Sequence, residues 1–179
     1  MRAKGRFESL AMPHLPAVYR LARQLVGPEK ADDLVQETFL RAWRFFAQFD
    51  PATNCRAWLF RILHNVWVTE WRKTRLEVPV ADVEEIRTEP YYDWEADFLR
   101  GEISEDMQWA LTQLPDPFRV AVLLADVEEL TYQDIAATME CPIGTVMSRI
   151  NRGRRMLERL LRAPVASRAP VPATASRRR

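Results

Sequence analysis

Residues 130–161 of the chain read LTYQDIAATMECPIGTVMSRINRGRRMLERLL. Two helical patterns lie here on either side of a short Cys-Pro-Ile-Gly turn, an arrangement typical of a helix-turn-helix. Thr131 is predicted to cap the first helix, with Asp134 completing a capping arrangement. Thr145 is predicted to cap the second helix, and Gly144 to relax the backbone of the turn.

The second helix of this motif has one apolar and one polar face. At about 100° per residue, Val146, Ile150 and Leu157 share one stripe, which predicts their burial. Arg pairs bidentately with guanine, and Asn with adenine, in the major groove of DNA. We therefore expect duplex DNA to be contacted by Ser148, Arg149, Asn151, Arg152 and Arg155. The alternative is a basic face that is only solvated.

Length and composition exclude several classes of protein. The 179 residues suffice for one medium domain or two small ones, and the 47% apolar content supports a buried core. Two cysteines cannot build a disulfide framework or a four-cysteine zinc site, and neither histidine has a partner at metal-ligand spacing. No catalytic motif is present, so we expect neither an enzyme nor a cofactor. The chain lacks an apolar run of membrane-spanning length and a signal peptide, which predicts a cytoplasmic protein without membrane insertion.

The charges divide the chain into modules. Residues 1–77 carry thirteen basic and eight acidic side chains, whereas residues 78–113 carry two basic and ten acidic ones. An acidic segment between more basic ones indicates a linker. The Arg-rich end of the chain, with its Pro, Ala and Ser, is predicted to be disordered. The predicted units are a first domain at 8–77, a linker at 78–103, a helix-turn-helix domain at 104–162 and a tail at 163–179.

Helical periodicity dominates both predicted domains, and no alternating strand pattern persists. In the first domain helical periodicity covers residues 14–26 and 57–72. Asp32 is predicted to cap a helix between these two, and Thr53 or Asn54 could cap the helix at 57–72. In the second domain the predicted helices are 104–115, 118–125, 131–139 and 145–161, and the linker could hold a short helix near 94–99. The predicted fold is therefore all-α, with two small helical domains, a flexible acidic linker and a C-terminal helix-turn-helix.

The helix at 57–72 combines aromatic and basic side chains. It interleaves Trp58, Phe60, Trp67 and Trp71 with Arg56, Arg61, Arg72, Lys73 and Arg75. Aromatics that stack on bases, beside cations that pair with phosphates, suit single-stranded nucleic acid. A few structural tryptophans would produce the same pattern, so both interpretations stay open at this point.

Four segments, in this order, resemble the extracytoplasmic-function sigma factors, which are small bacterial promoter-specificity subunits of RNA polymerase. The segments are DDLVQETFLRAW (32–43), FDPATNCRAWLFRILHNV (49–66), LPDPFRVAVLLADVEELTYQDIA (114–136) and CPIGTVMSRINRGRRML (141–157). The resemblance covers most of residues 10–161. It implies that the first domain is sigma region 2 and the second is sigma region 4.

The resemblance also implies a function and its site residues. The protein would bind core RNA polymerase, direct it to promoter DNA, help to melt the minus-ten element and be held inactive by an anti-sigma factor. Polymerase would be bound by Asp32, Asp33, Gln36, Glu37, Leu40 and Trp43. The minus-ten DNA would be bound by Asn54, Arg56, Trp58, Arg61 and Asn65. The minus-thirty-five DNA would be bound by residues of the last helix, namely Thr145, Ser148, Arg149, Asn151, Arg152 and Arg155.

Three residues depart from the family pattern. Met147 stands where many members have Lys or Arg, Asn151 stands where an aromatic residue or His is common, and Cys55 lies in the base-capture loop.

The main alternative function is a stand-alone helix-turn-helix repressor or activator that binds duplex DNA unaided. A third class is a sigma mimic that sequesters an anti-sigma factor. The acidic helix followed by an aromatic-basic helix favours the sigma factor over the repressor.

Overall fold

The computed structural model describes residues 3–71 and 104–162 of the chain. Within those two ranges every regular element is a helix, which confirms the predicted all-α class. The predicted acidic linker, its short helix near 94–99 and the Arg-rich tail lie outside the described residues.

The described part of the first module consists of four α-helices. They are α1 (Ala3–Ala11), α2 (Leu15–Val26), α3 (Pro28–Phe45) and α4 (Cys55–Val66). Single 3-10 turns follow α1 and α3 at Met12–His14 and Phe46–Gln48, and a π-helical turn follows α4 at Trp67–Trp71. Helices α2, α3 and α4 pack against one another, so their apolar stripes form the core of this module.

The starts of two helices test the predicted caps. The Asn54 side-chain oxygen accepts hydrogen bonds at 3.1 and 3.3 Å from two backbone N–H groups of the first turn of α4, which confirms this cap. The predicted cap at Asp32 is wrong, because α3 begins earlier, at Pro28. Gly27, at φ 82°, ends α2, and proline is favourable at the next position since it has no N–H to leave unpaired.

The described part of the second module also contains four α-helices. They are α5 (Glu105–Gln113), α6 (Asp116–Val122), α7 (Tyr132–Met139) and α8 (Ile143–Arg162), with a π-helical turn at Leu123–Val127. Helices α7 and α8 form the predicted helix-turn-helix, and α8 packs against α5 and α6 as well. The Thr131 hydroxyl accepts a hydrogen bond at 3.1 Å from the backbone N–H of Asp134, which confirms the predicted cap of α7.

The turn of the helix-turn-helix differs from the prediction. Thr145 does not cap α8, because the helix begins before it at Ile143, and Gly144 lies inside its first turn. The left-handed residue is instead Glu140, at φ 50° and ψ 47°, which forms the C-cap of α7. Glycine is the usual residue in that conformation, since it has no Cβ to clash.

The two modules pack against each other. Their buried apolar side chains form one continuous cluster, with α4 against α7 and α2 against α5. Across this contact Arg20 donates two hydrogen bonds of 2.9 Å to the Glu128 carboxylate, whose side chain is fully buried. Burial raises the pKa of Glu128, while the bonds from Arg20 oppose that shift. The interface therefore combines an apolar core with an ion pair in which the carboxylate is buried and the arginine is partly exposed.

Candidate nucleic-acid interface

Helix α8 has a buried apolar stripe and an exposed polar face. Val146, Ile150 and Leu157 are buried, as the helical period predicts. Four of the predicted minus-thirty-five residues are exposed on the other side: Ser148, Asn151, Arg152 and Arg155. Each of these side chains can donate a hydrogen bond to a base edge or a phosphate.

The other two predicted residues of this face, Thr145 and Arg149, are half-buried. They line a shallow concave surface together with Pro117 and Phe118 of α6. The Arg149 guanidinium donates a hydrogen bond at 3.5 Å to the sulfur of Cys141, in the turn before α8. This contact joins Arg149 to the turn before α8.

Helix α3 presents all six predicted polymerase-binding residues on one face. With about 3.6 residues per turn they fall within 140° of arc, opposite the buried Leu34, Thr38 and Ala42. Asp32, Asp33 and Gln36 are exposed, and Leu40 and Trp43 retain 50% and 43% of their accessible surface. Glu37 is half-buried, and its carboxylate accepts a hydrogen bond from Arg41 at 2.7 Å.

The predicted minus-ten residues gather around α4, but they do not form one free surface. Asn54, Arg61 and Asn65 are exposed, whereas Arg56 and Trp58 are half-buried. The Trp58 ring lies 4.8 Å from the ring of the buried Phe49, which supports a packing role for this tryptophan.

Two acidic residues of the second module approach the exposed part of this set. The Glu140 carboxylate accepts hydrogen bonds at 3.3 Å from both Arg61 and Asn65. The Asp134 carboxylate accepts a longer one, at 3.4 Å, from the side-chain amide of Asn54. The structure therefore brings three predicted DNA-binding side chains together with the chain's own carboxylates.

The arrangement of these helices agrees with what the chain is similar to. The profile of Sigma-70 region 2 matches residues 10–77, and that of Sigma-70 region 4 matches residues 104–157. A curated relative, the ECF RNA polymerase sigma factor EcfG of Rhodopseudomonas palustris, is 38% identical over 151 residues, covering 82% of this chain and 80% of the relative. The chain belongs to the ECF sigma factor family.

Other relatives of this sigma factor give the same family. SigE of Mycolicibacterium smegmatis is 38% identical over 161 residues, which is 84% of this chain and 60% of that protein's length. Among solved structures, the sigma factor RpoE in complex with the anti-sigma factor NepR from Bartonella quintana is 31% identical, with a TM-score of 0.63 over 88% of this chain and 95% of that one. CnrH, in complex with the cytosolic domain of CnrY, is 28% identical, with a TM-score of 0.64 over 88% of each chain.

Sequence reasoning missed two features of this sigma factor's surface. Ile143 and Met147 are exposed side by side at the start of α8, at 42% and 52% of their accessible surface. A mere count of apolar residues predicts burial for both, whereas the helical period places Met147 away from the buried stripe. The second feature is Glu140, whose only sequence signal is a carboxylate in a turn where glycine is usual.

The cysteines and ionisable groups of the sigma factor supply no second site among the described residues. Cys55 is half-buried and donates a hydrogen bond to the carbonyl oxygen of Leu10 at 3.4 Å, and burial raises the pKa of its thiol. In the two described ranges no cluster of His, Cys, Asp and Glu could hold a metal ion. None of the helices there is long and apolar enough to cross a membrane.

Proposed function

We propose that this protein is an alternative sigma factor that binds core RNA polymerase, directs it to specific promoters and helps to melt the minus-ten DNA. The observation that carries the proposal is the combination in one chain of the two sigma modules with an exposed, arginine-bearing face on α8. We assign region 2 to residues 8–77 and region 4 to residues 104–162, joined by the acidic segment 78–103.

Promoter recognition falls to α8, the second helix of the helix-turn-helix. In such motifs this helix enters the major groove and its N-terminal residues contact base edges. Ser148, Asn151 and Arg152 lie in the first three turns and are exposed, so they take the minus-thirty-five base contacts. Arg149 and Arg155 flank them and take phosphate contacts, while Thr145 supports Arg149 at the concave edge.

Polymerase binding falls to the exposed face of α3. Leu40 and Trp43 are large apolar residues at the surface, and such exposure marks protein interaction sites when polar groups surround it. The acidic residues Asp32, Asp33 and Glu37, with Gln36, supply that polar rim. A basic surface on the polymerase is the complementary partner.

Promoter melting is assigned to α4, from its first turn to Asn65 in its last turn, and to the loop before it. Flipping a base out of the duplex costs a few kcal/mol, which contacts to the extruded base must offset. Asn65 offers both a donor and an acceptor for a base edge, and Arg56 and Arg61 supply positive charge near the helix N-terminus. Trp58 packs beside them and stiffens the start of α4.

An anti-sigma factor is the expected regulator. RpoE of Bartonella quintana was solved with NepR and CnrH with the cytosolic domain of CnrY, and both resemble this chain over most of its length. We therefore expect a partner protein that binds both modules and competes with polymerase.

In vitro transcription with core polymerase on a promoter library tests the proposal. We expect specific initiation that depends on both the protein and the core enzyme. Specific binding of duplex promoter DNA by the protein alone, with no polymerase-dependent transcription, would instead identify a stand-alone repressor or activator.

The melting role has its own test in Asn65→Ala. The variant should slow open-complex formation on duplex promoters, and a promoter mismatched over the minus-ten element should recover part of the rate, because unpairing no longer has to be driven. Gln48→Ala, which removes an exposed amide from the turn before the loop, is the matched control. Unchanged permanganate reactivity of the minus-ten thymines in Asn65→Ala would defeat the assignment.

A further inference from the structure

Helix α1 carries none of the residues assigned above to polymerase or DNA. The profile of Sigma-70 region 2 begins at residue 10, so most of this helix precedes the matched residues. Phe7 and Ala11 are nevertheless buried, and α1 packs against α4. The contacts of α1 converge on the segment that joins α3 to α4, which carries Asn54 of the proposed minus-ten set.

Phe7 supports the beginning of this segment through a series of aromatic rings. Its ring packs edge-on against the ring of Phe46, with 5.1 Å between the centroids. Phe46 in turn stacks on Phe49 at 6.0 Å, and Phe49 lies 4.8 Å from Trp58 in the first turn of α4. Such ring pairs add to the stability that burial alone supplies. Phe49 directly precedes the exposed residues 50–54, so the series of rings fixes the segment at its start.

A second contact with α1 holds the end of the same segment. The thiol of Cys55, the first residue of α4, donates a hydrogen bond at 3.4 Å to the carbonyl oxygen of Leu10. Leu10 lies in the last turn of α1, where helix carbonyls lack an intrahelical donor. Burial raises the pKa of the Cys55 thiol, so the thiol keeps the proton that it donates. The cysteine that departs from the family pattern thus ties the start of α4 to α1.

Resting on the proposed function, we propose that α1 positions the minus-ten loop, with Phe7 as the positioning residue and Cys55 as a second point of attachment. Residues 50–54 lie exposed between the two attachments, and Asn54 and Arg56 stand at their end. A loop that is ordered only on binding loses part of its binding free energy to that ordering, whereas a loop that is already held does not. Phe7 therefore acts through Phe46 and Phe49 rather than by contact with DNA.

Phe7→Leu tests this proposal in preassembled holoenzyme. Leucine keeps an apolar side chain in the buried site but removes the ring that meets Phe46. Phe7 also lies 5.3 Å from the ring of Trp43 on the proposed polymerase face, so core polymerase is kept saturating and its affinity does not enter the rate.

The measured quantity is the rate of open-complex formation on a duplex promoter, divided by the rate on the same promoter mismatched over the minus-ten element. This ratio cancels the amount of active protein. It isolates base capture, because only the duplex needs capture contacts to offset unpairing. We expect the ratio to fall about threefold to tenfold in Phe7→Leu, which is less than the roughly hundredfold cost of a displacement of about 1 Å.

Leu25→Ala is the matched control for lost packing. Leu25 is buried at the end of α2, next to the start of α3, whereas Phe46 follows the other end of that 18-residue helix, about 27 Å away. Both changes remove a similar number of carbon atoms from the core, so urea unfolding should show comparable losses of stability. Leu25→Ala should nevertheless leave the rate ratio unchanged. Equal falls of the ratio in the two variants would overturn the proposal, and so would an unchanged ratio in Phe7→Leu.

A pair of variants at Cys55 decides the question if Phe7→Leu does not fold. Cys55→Ala removes the donor to Leu10 and should lower the rate ratio about twofold, since a thiol is a weak donor. Cys55→Ser keeps a donor and should retain most of the parent ratio. A parent-like ratio in Cys55→Ala, or an equal fall in Cys55→Ser, would overturn the attachment.

Failure of this inference is distinguishable from failure of the proposed function. If the parent holoenzyme forms open complexes at specific promoters and Phe7→Leu keeps the parent ratio, only the positioning role of α1 is lost. If the parent protein forms no promoter-specific open complex with core polymerase, the proposed function itself is lost.

Discussion

Gly153 lies where α8 packs against α6, and replacing it with alanine should destabilise the second module. A Cβ at this position would lie 2.6 Å from Cγ2 of Val122 and 3.2 Å from the carbonyl oxygen of Phe118. Val122 is fully buried and β-branched, and the Phe118 oxygen belongs to a helix backbone, so neither can easily retreat. Overpacking of this kind costs about 1–3 kcal/mol, against a gain of about 1 kcal/mol in helix propensity. The net expectation is a loss of about 1–2 kcal/mol.

Urea unfolding followed by circular dichroism measures this difference, and two variants serve as controls. Gly144→Ala changes the same residue type in the same helix, but nothing lies within 4 Å of its Cβ position. It should therefore stabilise the protein by up to about 1 kcal/mol. The double variant Gly153→Ala with Val122→Ala lacks the clashing methyl. Its loss of stability should therefore be about 1 kcal/mol smaller than the sum of the losses in the two single variants. If Gly153→Ala proves as stable as Gly144→Ala, the packing argument is wrong.

Two further predictions concern the assigned surfaces. Arg152→Ala should lose about 1–3 kcal/mol of binding free energy on the cognate minus-thirty-five element and relax base specificity at one position. Transcription from single-base promoter variants measures that specificity. An unchanged base preference would remove Arg152 from the residues that read bases. The double change Asp33→Lys with Glu37→Lys should weaken competition for core polymerase at unchanged helicity, and a variant that competes as well as the parent would contradict the assignment of α3.

The features that depend on one helix and its neighbours in sequence were predictable. Asn54 and Thr131 cap their helices as expected, since a cap needs only a suitable side chain and the next turn. Asp32 and Thr145 looked equally suitable, yet both lie inside helices. Prolines set those boundaries instead. Pro28 is the first residue of α3 and Pro142 directly precedes α8, and the fixed φ of proline favours entry into a helix.

The exposed faces of α3 and α8 could likewise be read from periodicity, because a single helix fixes which side chains share a side. The surroundings of α4 could not. Asn65 and Glu140 are separated by 75 positions in the chain, and their meeting depends on how two modules dock through a linker. No local pattern encodes such a contact, so the sequence predicts the donors of the proposed minus-ten site but not the carboxylates that contact them.

A DNA-binding surface must present exposed hydrogen-bond donors, and such donors will bind any carboxylate that the fold brings near them. The same property that suits Arg61 and Asn65 to nucleic acid therefore suits them to Glu140. A nucleic acid that uses these two donors must therefore compete with the Glu140 carboxylate, which accepts from both of them at 3.3 Å. Because the carboxylate and the donors belong to different modules, this competition exists only while the two modules stay docked.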